Sequence, residues 1–183
     1  MTVEYRSTDN RDTLTFLPRS GSKMVTIYIL VILSFLLLVT TVAGIGCPNG
    51  WIRFDGSCYV YSSLDRTFIH ASSFCKELGG YLVEIESEKE SNFVTNFLNE
   101  HIVKNGVWLG GNDLMAEGYW VWDKSEEPFN YTNWNPAEPD QSSAGEQDCL
   151  SVWKRGNYQW ADHYCDRPDL ASLCEKDFVG CTN

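Results

Sequence analysis

Seven cysteines, Cys47, Cys58, Cys75, Cys149, Cys165, Cys174 and Cys181, all lie beyond an apolar run that carries no charged side chain from Met24 to Cys47. That placement is what a disulfide framework in an oxidising compartment produces, and it ties the fold of everything after the run to covalent cross-links. Zinc suits the pattern poorly. No Cys-x-x-Cys pair opens a structural zinc cluster, and the three histidines, His70, His101 and His163, are scattered and read as ordinary surface or helix residues. Spacing leaves the pairing open, and an odd number leaves one thiol over. Cys181, near the C-terminus, is the candidate: it could bridge a second chain as a disulfide-linked dimer, take a small thiol cap, or stay free.

The apolar run itself, Met24 to Ile45, is long enough to cross a hydrocarbon core as a helix. Arg19 and Lys23 precede it, and the first acidic residue after it is Asp55. The positive-inside rule then puts the N-terminus in the cytoplasm and the C-terminal domain outside, as a single-pass type II signal anchor at the cell membrane. The competing reading is a cleaved signal peptide with Thr41-Val42-Ala43-Gly44 as the cleavage region, giving a secreted protein. The long polar leader favours the anchor, and both readings deliver the domain to the same compartment. The expected plan is a short polar cytoplasmic segment at 1–23, an anchor or signal peptide at 24–45, a folded domain at 47–176, and a tail at 177–183.

Charge narrows the partners. Residues 1–23 hold four basic and three acidic groups, whereas the remainder holds ten basic and twenty-two acidic. Such a field repels phosphate and excludes nucleic acid as a partner of the main domain. With 43% hydrophobic and 14% aromatic residues, the chain has the material for one packed core. The acidity serves solubility, a cationic partner, or a metal site made of carboxylates.

Along the domain, Trp51 to Tyr61 alternates as a hairpin with Gly56 at its turn. A first helix is expected from about Thr67 to Leu78, stopped by Gly79-Gly80, and a second opens at Ser87 with Glu90 three residues on, a capping-box pattern. Val107 to Gly111 reads as a buried strand. Leu150–Trp153 and Tyr158–Trp160 read as strands paired around Gly156-Asn157, and Ser172–Glu175 as a last one. Between about Asn112 and Gln147 lies a long irregular loop, with Tyr119–Trp122 as one short strand. Its six aromatics argue for order, and loops of that length are functional when ordered.

In and just after this loop gather Asp113, Glu117, Glu138, Asp140, Glu146, Gln147, Asp148 and Asp162. Hard oxygen donors suit calcium, which takes roughly six to eight of them in flexible geometry. A solvated acidic loop has the same composition. Glu138-Pro139-Asp140 adds a pair of carboxylates held apart by a proline, whose peptide bond is one that can be cis.

From Cys47 to Glu175 the sequence resembles a C-type lectin-like domain, and in particular small invertebrate lectins, some of them shell-associated. The likeness rests on Cys47-Pro48-x-Gly50-Trp51, Cys75, Trp108-Leu109-Gly110, Glu138-Pro139-Asp140, Asp148-Cys149, Trp160-Ala161-Asp162 before Cys165, and Cys174-Glu175. The resemblance implies an α+β double-loop fold with two helices, small antiparallel sheets and three disulfides, Cys47–Cys58, Cys75–Cys174 and Cys149–Cys165. It also implies a principal Ca2+ held by Glu138, Asp140 and Asp162, with Pro139 in a cis bond and the sugar ligated directly to the ion. An auxiliary site would use Asp113, Glu117 and Asp148.

Three positions depart from the family pattern. Ala161 stands where sugar-binding members carry Asn, Gln147 where they carry Glu, with Glu146 beside it, and Gln141 replaces an acid of the auxiliary site. The implied function is calcium-dependent carbohydrate binding, with mannose-type ligands favoured over galactose-type. The alternative is a calcium-independent protein-binding or mineral-associated member of the same fold. An enzyme is not expected. Glu138 and Asp140 could be imagined as a glycosidase pair, but two carboxylates on one cation both stay ionised, and neither can act as a general acid. Asn130-Tyr131-Thr132 is the single N-glycosylation sequon.

Overall fold

The computed structural model describes residues 27–32, 46–140, 146–178 and 180. The chain divides into two units, residues 1–43 and 44–183. Of the first, α1 is described over residues 27–32, a helical stretch whose apolar side chains are exposed. No helix among the described residues is long and apolar enough to cross a membrane. The rest of the expected 24–45 segment lies outside the described residues, as do Gln141, Cys181 and the end of the tail.

The second unit begins with the hairpin β1 (Ile52–Phe54) and β2 (Ser57–Arg66), turned at Asp55, whose φ is 49°, and Gly56. Helix α2 (Phe68–Glu77) starts where the Thr67 hydroxyl accepts from the His70 amide and stops at Gly79, in the left-handed region at φ 73°. After the short strand β3 (Tyr81–Leu82), α3 (Glu88–Asn99) starts at Ser87, whose hydroxyl accepts from the Glu90 amide. Strands β4 (Gly106–Asn112), β5 (Val121–Trp122), β6 (Cys149–Trp153), β7 (Trp160–His163) and β8 (Leu170–Asp177) follow. They join one sheet in the order β1-β2-β8-β4-β6-β7, with β3 on β8 and β5 on β4. The β4–β8 pair is parallel and the other ladders are antiparallel. The antiparallel sheets are therefore one mixed sheet.

The central strands are buried on both faces, and residue parity sorts their side chains. Val107 and Leu109 of β4, Leu150 and Val152 of β6, and Ala171 and Leu173 of β8 pack with Val94, Phe97 and Leu98 of α3. Trp108, Cys149, Leu170 and Cys174 take the other face with Phe68, Ala71 and Cys75 of α2. Gly111 has no room for more than hydrogen, since a Cβ there would sit 2.4 Å from the Phe129 ring.

The disulfides join Cys47 to Cys58, Cys75 to Cys174 and Cys149 to Cys165. The second staples α2 to the sheet's central strand β8. The third ties β6 to the chain just after β7.

The second strand of the β6–β7 pair begins at Trp160, two residues later than its sequence pattern suggests. Asn157 and Tyr158 both have positive φ, 54° and 57°, so a turn at Lys154–Gly156 and these two residues widen the connection. Tyr158 is buried in the core instead, with its hydroxyl donating to the Leu98 carbonyl at 3.4 Å. Strand β8 runs further in both directions than Ser172–Glu175.

Glu175 of β8 is buried and 6% exposed, accepting from the Glu84 amide at 3.2 Å. Burial first, and then the charge of Glu90, push its carboxyl from the ordinary 4.5 to about 7. Burial also raises Glu84 and Glu90.

Two outcomes follow. Removing the bridge that closes the longest loop, 99 residues, by Cys75→Ala with Cys174→Ala should lower the unfolding free energy by about 4 kcal/mol in urea titration. For Glu175, a raised carboxyl binds its proton more tightly in the folded than in the unfolded chain, so its contribution is fully present below pH 4.5 and is lost as pH rises toward 7. In chelating buffer the melting temperature should fall from pH 5 to pH 8. Glu175 alone contributes on the order of 3 kcal/mol to this slope, which Glu175→Gln should flatten.

Candidate functional site

The long loop is held by the strand it faces. The Trp160 amide donates to the Asn133 carbonyl at 2.8 Å, and the Asn135 amide donates back to the Trp160 carbonyl at 2.8 Å, a parallel bridge between Trp134 and Trp160. Around this bridge Trp122, Phe129, Tyr131 and Trp134 pack on the Trp160 ring at centroid distances of 5.3 to 5.8 Å. These aromatics explain why so polar a stretch as residues 112–140 is ordered: their burial offsets the entropy of fixing it.

The loop then turns, with the Glu138 amide donating to the Asn135 carbonyl at 2.8 Å, and the Glu138–Pro139 bond is cis. The Asp140 amide donates to Oδ1 of Asp162, two residues beyond Trp160 on β7, at 3.3 Å. Residues 138, 140 and 162 thereby come together from two segments, each offering one carboxylate oxygen, with these oxygens all within 4.8 Å of one another. Glu138 is half-buried, Asp140 exposed and Asp162 buried. Burial, then the neighbouring Asp162 and Asp140, push the Glu138 carboxyl up to about 7. Carboxylates this close repel one another unless a proton or a cation intervenes.

Gln147 joins them, its Nε2 donating to Asp140 Oδ1 at 2.8 Å, so its amide lies at the edge of the cluster. Glu146 is exposed and outside the convergent trio. Ala161 lies between Trp160 and Asp162 and lines the same cavity with a methyl group in place of an amide. The three carboxylates are all hard oxygen donors. They fit calcium, which would be held by Glu138, Asp140 and Asp162 and leave positions for other oxygens.

The expected auxiliary residues are arranged differently. The Asp113 amide donates to the Asp148 carbonyl at 3.1 Å, and Asp113 Oδ2 accepts from the Gly118 amide at 2.8 Å, which makes Asp113 the pin of the turn at 113–118. Burial, then the charges of Glu117 and Asp148, raise Asp113 to about 6. Among the described residues, Asp113, Glu117 and Asp148 do not form a convergent trio of ligand atoms. Asn130 of the sequon is exposed.

The trio opens into a cavity of about 430 Å³. Its remaining wall includes Trp153, Arg155, Gln159, His163 and Tyr164, none of which sequence reasoning singled out as site residues. They come from β6, β7 and the turns after them, so only the strand pairing sets them beside the loop. His163 packs on Trp108 and Trp153 and meets Asp169 at 3.1 Å, a supported wall residue.

The lectin C-type domain family matches residues 65–176. Perlucin of Haliotis laevigata is 34% identical over 139 residues, covering 75% of this chain and 88% of that protein. The C-type carbohydrate-recognition domain of cow CD23, solved in the presence of a GlcNAc2Man3 oligosaccharide, superposes with a TM-score of 0.64 at 31% identity, over 74% of this chain and 98% of that one. A calcium-independent type II antifreeze protein superposes with a TM-score of 0.63 at 27% identity, over 73% and 95%. Proteins of this family are in general binders rather than enzymes and commonly bind calcium. Matching family residues, α+β fold, three bridges and a carboxylate trio at the long loop all agree: the chain belongs to the lectin C-type domain family.

Proposed function

We propose that this protein is a calcium-dependent lectin whose sugar site is the trio Glu138, Asp140 and Asp162. The observation that carries the reading is the convergence of these three carboxylates on an open cavity from two separate segments of the chain. A bound calcium ion would supply open coordination positions for two vicinal sugar hydroxyls. The chain's own residues do the rest: Glu138 and Asp140 can only accept from sugar hydroxyls when ionised, and Gln147 can donate or accept through its amide. Ala161 withholds one amide, which weakens the site and leaves its place to water. Two acceptors favour mannose-type over galactose-type ligands. Glu146 stands by as a further oxygen donor, and an auxiliary ion at Asp113, Glu117 and Asp148 would brace the loop's base.

A second reading, a calcium-independent protein-binding or mineral-associated module, is supported by Ala161 and by the fold's likeness to the calcium-independent antifreeze protein. For location we propose a type II membrane protein, anchored by residues 24–45 with its lectin domain outside and secretion as the alternative. Exposed Asn130 would be glycosylated and Cys181 would link two copies.

Binding of the full-length protein, in neutral detergent, to immobilised mannose and galactose separates the readings. Retention on mannose that disappears with excess chelator and returns with calcium is expected. Retention on neither sugar in calcium overturns the lectin reading. Asp162→Asn should weaken calcium binding more than about tenfold by calorimetry. If the chain passes through a secretory pathway, peptide-N-glycosidase should increase its gel mobility, and Asn130→Gln should abolish that shift.

A further inference from the structure

Two cavities share a wall along the turn between β6 and β7. One is the cavity of the carboxylate trio, which reaches Trp153 and Arg155. The other, about 340 Å³, is lined by Lys104, Asn105, Trp153, Lys154 and Arg155. Three of the ten basic residues that follow the apolar run thus gather on one ridge of an otherwise acidic domain.

Arg155 differs from four of the domain's lysines. Lys76, Lys89, Lys104 and Lys124 each have a carboxylate within 3.7 Å. Among the described residues Arg155 makes no ion pair, and its guanidinium instead lies over the Trp153 ring, 4.9 Å from the centroid. Stacking leaves the edge of the guanidinium, with its fork of donors, free for a planar or tetrahedral anion. Beside it Lys154 Nζ donates to the Val103 carbonyl at 3.2 Å, which holds that ammonium on the same ridge.

The turn that carries Arg155 is braced on the loop that carries the trio. Gly156 approaches Asn135 so closely that a Cβ would lie 3.2 Å from its Nδ2, and the Asn135 carbonyl accepts the Glu138 amide. Cation and carboxylates therefore share one support, and the spacing between them is a property of the fold.

From this we infer that the ligand is an acidic glycan: a neutral diol at the trio, a sulfate or carboxylate group on Arg155, and the chain continuing over Lys154 toward Lys104. The inference rests on the lectin reading and adds the charge of the ligand. The domain's net negative field gives polyanions no general attraction, so the preference must be local to the ridge.

The test compares one neutral oligosaccharide with two counterparts, one bearing a sulfate ester and one a uronic or sialic carboxylate, on the full-length protein in calcium. A preference of roughly threefold to tenfold for the charged probes is expected. Sodium chloride from about 50 to 300 mM should reduce it, and Arg155→Ala should remove it. Arg155→Lys should retain part of it, a readout that a folding defect would not produce. The two charged arms tell sulfate from carboxylate. Calcium-dependent binding of all three probes alike, or an Arg155→Ala variant that keeps the preference, overturns the inference and leaves the lectin reading standing. Retention of no probe in calcium overturns both.

Discussion

The pairing of one residue, Trp160, with the loop segment Asn133–Asn135 holds the functional end of this domain together. Two backbone hydrogen bonds of 2.8 Å and the rings packed on the Trp160 indole turn a polar, proline-bearing stretch into a fixed platform. Without that pairing, Glu138 and Asp140 would belong to a solvated acidic loop, and Asp162 would be a lone buried carboxylate on β7. With it, three like charges are forced together. The repulsion is tolerated because the aromatic core beneath is already buried and the loop has no competing place to go.

The same strand order accounts for the rest of the site. Strands β4, β6 and β8 are apolar on both faces, so α2 and α3 must take opposite sides, and the bridge between Cys75 and Cys174 holds one of those sides shut. Strand β7 is at the edge, where one side is left for the loop rather than another strand. A binding site at a sheet edge, on irregular backbone supported by a rigid sheet, allows side chains to vary without cost to the core. The replacement of Asn by Ala at 161 is of that kind: it changes the donor set and leaves the Trp160 packing untouched.

Electrostatically the domain keeps two acidic centres at different depths. Glu138 is half-buried on a cavity wall, whereas Glu175 is more deeply buried and held by the Glu84 amide. Both are raised by burial first, but among the described residues it is the first that belongs to a trio of carboxylates whose ligand atoms converge within 4.8 Å. Arg155 provides the opposite sign at the other end of that cavity. A site with a carboxylate end and a cationic end distinguishes ligands by the spacing of their groups as well as by their charge.

Much of this was legible in the residues. Thr67 and Ser87 mark the starts of both helices because a hydroxyl must satisfy the first free amides, and Gly79 marks a stop because its φ is positive. The alternation in Trp51–Tyr61 and the apolar run at Val107–Leu109 give strands for the same local reason. The strand beginning at Trp160 was less legible, since nothing in Asn157-Tyr158 announces two successive left-handed residues. Cysteine count required an odd thiol but could not choose the pairs, because pairing is a matter of distance in space. What the sequence by itself determined is the chemistry available: hard oxygens in one loop, thiols after one apolar run, few cations. What only the tertiary structure decided is which of them meet. Glu138 and Asp162 are far apart in sequence and become neighbours through backbone pairing at Trp160, as Arg155 becomes a wall of the same cavity through the turn braced on Asn135. Contacts of that kind depend on strand register, and register is set by the packing of the whole sheet.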